Sequence, residues 1–286
     1  MSSSPPRNDK TRSAHERRRG TAAAAPGRRG RTSTPAGHLQ HPAYGGGVPP
    51  ARPTSHKTVL LRVAVLAGIW AGLVGLLVAA GEVVTHSGAV AHVDDHLTRV
   101  AVSARTPALN SAMKVVTWLG SWVALLVTAV VIAALVITRR LQVLAAIVAV
   151  FAWAGEAGGV AIGKTVVGRH RPPQAIWLVH AHGWSFPSGH TAVACLTFAI
   201  LALCVATLAR GRAVAVVGWL TAALAIAATA FSRVELGVHW TTDVIASVVF
   251  VTGWLAAIAI SLGRRLRRPE ALADQASSDE APAAPR

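Results

Sequence analysis

Acidic residues are scarce. The 286-residue chain has 12 Asp and Glu against 28 Lys and Arg, a formal net charge of +16. Charged residues of both signs make up only 14% of it, where a soluble domain has about a quarter. A soluble domain of this length would expose far more charged surface, so that class is excluded. The carboxylates are also too few for a two-magnesium site. Cysteine is nearly absent: Cys195 and Cys204 are the only two, nine residues apart in one apolar run. Nine residues is about 2.5 helical turns, so on a helix they face opposite sides and read as small core residues. They indicate no disulfide framework and no redox compartment. No Cys/His cluster has the spacing of a zinc site.

What the chain has instead is long apolar runs, within a composition that is 52% hydrophobic. Six runs cover residues 63–81, 115–138, 141–163, 191–209, 213–231 and 244–263. Each holds about 19 to 24 residues, enough to cross ~30 Å of hydrocarbon as a helix. Glu156 is the one formal charge inside them. The pattern predicts an all-α integral membrane bundle of six transmembrane helices spanning residues 58–268. Residues 1–57, rich in Ser, Pro, Gly and Arg, are expected to be a disordered basic tail. Residues 269–286, rich in Ala, Pro and acid, are expected to be a second disordered tail. The basic charge lies in the N-terminal tail and in short connections between runs, which fits a membrane protein and argues against a nucleic-acid partner.

Those connections also predict orientation. Arg139 and Arg140, Arg210 and Arg212, and the arginines 264, 265, 267 and 268 fall on the same side as the basic N-terminal tail. The positive-inside rule then makes both termini cytoplasmic, with 82–114, 164–190 and 232–243 facing outward across the plasma membrane. The first outer connection is expected to form a short interfacial helix without chemistry. Its Asp94-Asp95 pair reads as a solvated helix start rather than a metal site.

The other two outer connections hold nearly all the polar residues with chemical potential. One runs from "KTVVGRHRPP" to "SFPSGHTA", and the other is "SRVELGVHWTTD". Lys164 and Arg171 are seven apart, about two turns, and would share a helix face. His239 and Asp243 are four apart. A carboxylate there can hold one imidazole nitrogen and leave the other free as a nucleophile. Ser188 and Gly189 precede a helix whose free N–H groups and positive dipole end suit a phosphate. Arg171 and Arg233 can grip phosphate oxygens bidentately, and Lys164 adds a point charge. Together these residues describe a phosphoryl-transfer site with no metal and no other cofactor, the positive charge coming from side chains.

Three motifs recur here intact: K-x6-R-P from Lys164 to Arg171-Pro172, P-S-G-H from Pro187 to His190, and S-R-x5-H-x3-D from Ser232-Arg233 to His239 and Asp243. In these the chain, over about residues 60–265, resembles the type-2 phosphatidic acid phosphatase family. Its core is related to that of vanadium-dependent haloperoxidases. The resemblance implies a membrane lipid phosphatase with His239 as the attacking group, Asp243 orienting it, and His190 moving the proton of the leaving oxygen and then of water. Lys164, Arg171 and Arg233 would hold the phosphoryl oxygens, assisted by Ser188 and the Gly189 N–H. The implied substrate is a lipid phosphate or diphosphate: phosphatidic acid, phosphatidylglycerol phosphate or a polyprenyl diphosphate. The alternatives are a lipid phosphotransferase and a non-catalytic lipid-binding or transport relative.

The remaining polar residues read more plainly. His170, His180 and His182 match no motif and are expected to be loop residues. Arg169 is expected to meet lipid headgroups or solvent, with a contribution to the field at the site as the alternative. Glu156 either tunes the site or makes a hydrogen bond inside the bundle. Glu235 either orients Arg233 or faces water. Trp177, Trp184 and Trp240 belong at the outer interface, with a grip on the lipid as the alternative.

Overall fold

The computed structural model describes residues 56–266, with side chains over 60–262. Both expected tails lie outside these residues, save His56 and Lys57, which begin the first helix. Among the described residues the chain is all-α, with no strand. The helices are α1 (His56–His86), α2 (Gly88–Ser103), α3 (Pro107–Val116), α4 (Trp122–Ile137), α5 (Val143–Val167), α6 (Gly189–Leu208), α7 (Arg212–Glu235) and α8 (Thr241–Leu266). Five of them, α1 and α5 to α8, are long and apolar enough to cross a membrane.

The second apolar run differs from expectation. It is not one helix but two, bent by 47° between Pro107–Gly120 and Trp122–Ile137. The break has a local cause. A 3₁₀ turn over Thr117–Gly120 closes α3, Ser121 is extended (φ −92°, ψ 171°), and its hydroxyl caps α4 by accepting from the Val123 N–H at 3.2 Å. At 16 residues α4 alone reaches only about 24 Å, so six spans exist only if the bent pair counts as one.

The first outer connection holds two helices. Ser87 caps α2 and Thr106 caps α3, where Pro107 fills a first-turn position that needs no N–H. On α2 one face, Asp94, Thr98 and Ala101, is buried. The opposite face carries the exposed Asp95–Arg99 pair, 4.0 Å apart.

Inside the bundle, α5 and α8 pack through glycine. A Cβ at Gly159 would collide with the Phe250 ring, and one at Gly155 with the Trp254 indole. Trp254 is buried and donates to the Ala152 carbonyl at 3.1 Å; Trp70 of α1 donates to Gly155 at 2.8 Å. Glu156 sits buried on this same stretch of α5. Apolar side chains such as Ile137 and Leu224 point away from the bundle, as lipid-facing residues do. The end of the bundle where α5 stops and α6 starts is also where α7 stops and α8 starts. The connections with Arg139-Arg140 and Arg210-Arg212 lie at the other end.

Candidate active site

Lys164 projects from the last turn of α5, which Gly168 ends in a left-handed conformation (φ 60°). The helix therefore stops before Arg171. The expectation that Lys164 and Arg171 share a helix face is overturned, because Gly168 turns the chain into a loop that brings Arg171 back by another route. Arg171 is held by its own surroundings. It donates to the carbonyls of Val238 (2.6 Å), His182 (2.9 Å), Gly183 (3.0 Å) and Trp184 (3.2 Å), and its Nη1 lies 3.0 Å from Nε2 of His239. Lys164 donates to the Trp184 carbonyl at 2.7 Å.

His239 lies in the turn before α8, and Asp243 in the first turn of α8. Nδ1 of His239 is 3.2 Å from Oδ2 of Asp243. A carboxylate accepts only, so this contact puts the imidazole proton on Nδ1 and leaves the Nε2 lone pair facing Arg171. Oδ2 also accepts from the Trp240 N–H at 3.0 Å and from the Ser185 hydroxyl. Burial pushes the His239 pKa down to about 3, with Asp243 pulling the other way, so the ring is neutral at neutral pH. Burial also lowers the pKa of Arg171, and Asp243 opposes that shift.

His190 stands in the first turn of α6 and Arg233 in the last turn of α7. Arg233 is buried and donates to the Thr117 hydroxyl at 2.6 Å. His190 is within electrostatic reach of Arg233, Arg171 and Lys164 together. Ser188 is the N-cap of α6 and fully buried. Its hydroxyl accepts from Thr191, and its N–H donates to the Asp243 carbonyl at 3.2 Å. All eight residues singled out from the sequence therefore come to one end of the bundle, carried by α5 to α8 and the two loops between them.

Three expectations are corrected here. Arg169 meets neither headgroups nor solvent: it is buried, donating to Asp243 Oδ1 at 2.6 Å and to Asp94 Oδ2 at 2.7 Å. Asp94 is accordingly no solvated helix start but a buried partner, and the first outer connection does reach the site. Glu235 neither orients Arg233 nor faces water. It is fully buried and faces Arg105, Nε to Oε1 at 3.8 Å, while Arg105 also donates to the Glu235 carbonyl at 2.9 Å. The sequence did carry a signal for Asp94. It falls on the same face as Thr98 and Ala101, at spacings of four and three, so an acid sits on the buried stripe of an amphipathic helix. Arg169, Arg105, Thr117 and Ser185 had no comparable signal.

The loop residues divide. His170 and His182 offer backbone carbonyls, to Trp240 Nε1 (2.9 Å) and to Arg171, while His180 is exposed. Trp177 braces the loop by donating to the Pro172 carbonyl at 2.8 Å, and Trp184 is exposed.

Residues 145–268, which hold nearly all of α5, all of α6 to α8 and every motif residue, match the family model of the PAP2 superfamily. Over that segment the chain is similar to the PAP2 superfamily. Among solved structures, the chain is similar to a transmembrane PAP2-type phosphatidylglycerolphosphate phosphatase from Bacillus subtilis. The two are 27% identical with a TM-score of 0.59, over 69% of this chain and 96% of that one. Aquifex aeolicus LpxE is 24% identical with a TM-score of 0.41, over 59% and 93%. No curated protein matches the chain. Helices α1 to α4 lie outside the matched segment, yet Asp94 of α2 and Thr117 of the turn after α3 reach the site.

Proposed function

We propose that the protein is a membrane lipid phosphatase acting through a phosphohistidine. The observation that carries this reading is the line Asp243–His239–Arg171. A buried neutral imidazole is held at Nδ1 by a carboxylate, its free Nε2 aimed where an arginine would hold a phosphoryl group. His239 Nε2 attacks phosphorus, the bond to the lipid oxygen breaks, and His190 passes that oxygen a proton. Water then attacks the phosphohistidine, giving its proton to His190, and the P–N bond breaks to release phosphate. Lys164, Arg171 and Arg233 offset charge on the phosphoryl oxygens, and the Gly189 N–H joins them from the first turn of α6.

An apolar groove of about 250 Å³ supports a lipid substrate. It runs between α1 and α8, past Leu76, Ile245 and Val249, to Phe186 and Thr242 beside the site. The Bacillus relative's substrate class puts phosphatidylglycerol phosphate first among the three candidates. The basic connections at the opposite end support a plasma-membrane protein with cytoplasmic termini and an outward-facing site.

The test is phosphate release by the detergent-solubilised chain from phosphatidylglycerol phosphate, phosphatidic acid, a polyprenyl diphosphate and a soluble phosphate ester. Hydrolysis of one lipid, abolished in His239→Ala and blocked by vanadate, is expected. EDTA is expected to leave the rate unchanged. Inhibition by EDTA that magnesium restores would overturn the metal-free mechanism. Release only on addition of an alcohol acceptor would make the protein a phosphotransferase.

A further inference from the structure

Asp243 spends its two oxygens differently. Oδ2 serves His239, Ser185 and Trp240; Oδ1 serves Arg169 alone. A buried arginine on that oxygen would by itself cancel the carboxylate's charge and weaken its hold on the imidazole. The structure adds a second acid. Arg169 is shared with Asp94, which is itself buried and reaches in from α2. Thr242 closes the circuit: its hydroxyl donates to Asp94 Oδ2 at 2.5 Å and accepts from Arg169 at 2.7 Å, while its N–H donates to Asp94 Oδ1 at 3.0 Å. Two carboxylates around one guanidinium leave this trio at −1 on the Nδ1 side of His239, opposite Arg171.

The chemistry proposed for this site needs that charge. A histidine phosphorylated at Nε2 and still protonated at Nδ1 carries positive charge on its ring, in a buried setting that penalises it. We propose that Asp94 and Arg169 are positioning residues for His239: Arg169 fixes Asp243, and Asp94 neutralises Arg169 so that Asp243 keeps its charge for the imidazole. The inference rests on the phosphohistidine reading above. It also gives α2, outside the matched PAP2 segment, a part in catalysis.

The test separates charge from architecture. Asp94→Asn keeps an acceptor for the Thr242 N–H while removing the charge and the Oδ2 acceptor that Arg169 and the Thr242 hydroxyl share. On the full chain in phosphatidylglycerol phosphate micelles, kcat is expected to fall by on the order of 10- to 100-fold, the usual worth of an outer partner that orients a histidine. KM is expected to stay within about twofold, because Asp94 makes no contact with the phosphoryl cradle. In an Asp243→Asn background the same change is expected to cost almost nothing. Arg169→Lys should retain more activity than Arg169→Ala. Unchanged kcat in Asp94→Asn, or an equal loss with and without Asp243, would overturn the inference while the phosphatase reading stands. Failure of the wild type to hydrolyse any lipid would instead remove that reading. In that case the proton resonance of His239 Nδ1 in ¹⁵N-histidine-labelled protein decides: it is expected to move in Asp94→Asn, and an unmoved resonance in folded protein overturns the inference.

Discussion

His239 is neutral because burial outweighs its carboxylate partner, and this has a consequence for stability. Its ordinary pKa of 6.5 is pushed down to about 3 in the folded protein. The unfolded chain therefore binds a proton at a pH where the folded one does not. Stability from this group is fully present above about 6.5 and is lost as pH falls from there toward 3. The thermal midpoint in detergent is expected to drop between pH 7 and pH 4, and to drop less in His239→Asn. An equal drop in both proteins would place the acid sensitivity elsewhere. The same residue scale explains why Asp94→Ala is a poorer probe than Asp94→Asn. Both changes strip Arg169 of this charged partner, but alanine also leaves the Thr242 N–H without its acceptor, which confuses unfolding with lost catalysis.

At the scale of elements, the elbow between α3 and α4 matters more than its position outside the matched segment suggests. Gly120 lies against the first turn of α6, and a Cβ there would collide with the carbonyl of His190 and meet the Thr229 methyl at 2.8 Å. The neighbouring Thr117 holds Arg233. One short 3₁₀ turn thus sets two residues of the site at once. Gly120→Ala must displace either the elbow or the start of α6. A shift of about 1 Å in a reacting group can cost on the order of 100-fold in rate. Gly120→Ala is expected to lose activity on that scale, whereas Gly72→Ala, at a position open on the lipid side of α1, is expected to keep it. Comparable activity in the two variants would show that the elbow yields without moving His190.

At the scale of the whole molecule, the basic connections between helices and the candidate site lie at opposite ends of the bundle. His180, exposed in the site loop, and Arg140, exposed in the α4–α5 turn, report those two ends. Cysteines placed at each, in a background where Cys195 and Cys204 are alanine, can be labelled in intact cells with a membrane-impermeant maleimide. Labelling at 180 and protection at 140 is expected. The reverse pattern would turn the protein over and place the site in the cytoplasm. The result also bears on substrate, because an outward-facing site meets lipids of the outer leaflet.

The helices and most of the site were legible in the sequence because their causes are local. Runs of about 20 apolar residues must satisfy their own backbone hydrogen bonds in hydrocarbon, so they read directly as spans. His239 and Asp243 meet within one turn of chain, and Ser188 caps the helix it precedes. The two tertiary ion networks were not legible. Arg169 and Asp94 are 75 residues apart, and Arg105 and Glu235 are 130 apart. Nothing in the neighbours of either arginine distinguishes a buried one from one that meets headgroups. The break at Gly120 had a local signal, Gly120-Ser121 inside the run, but the reason no side chain fits there, the carbonyl of His190, arrives from another helix. Sequence alone determined which segments enter the membrane and which residues can handle phosphate. Tertiary structure alone decided which charges face one another, because in a buried site that depends on distances across helices that the chain's local pattern does not encode.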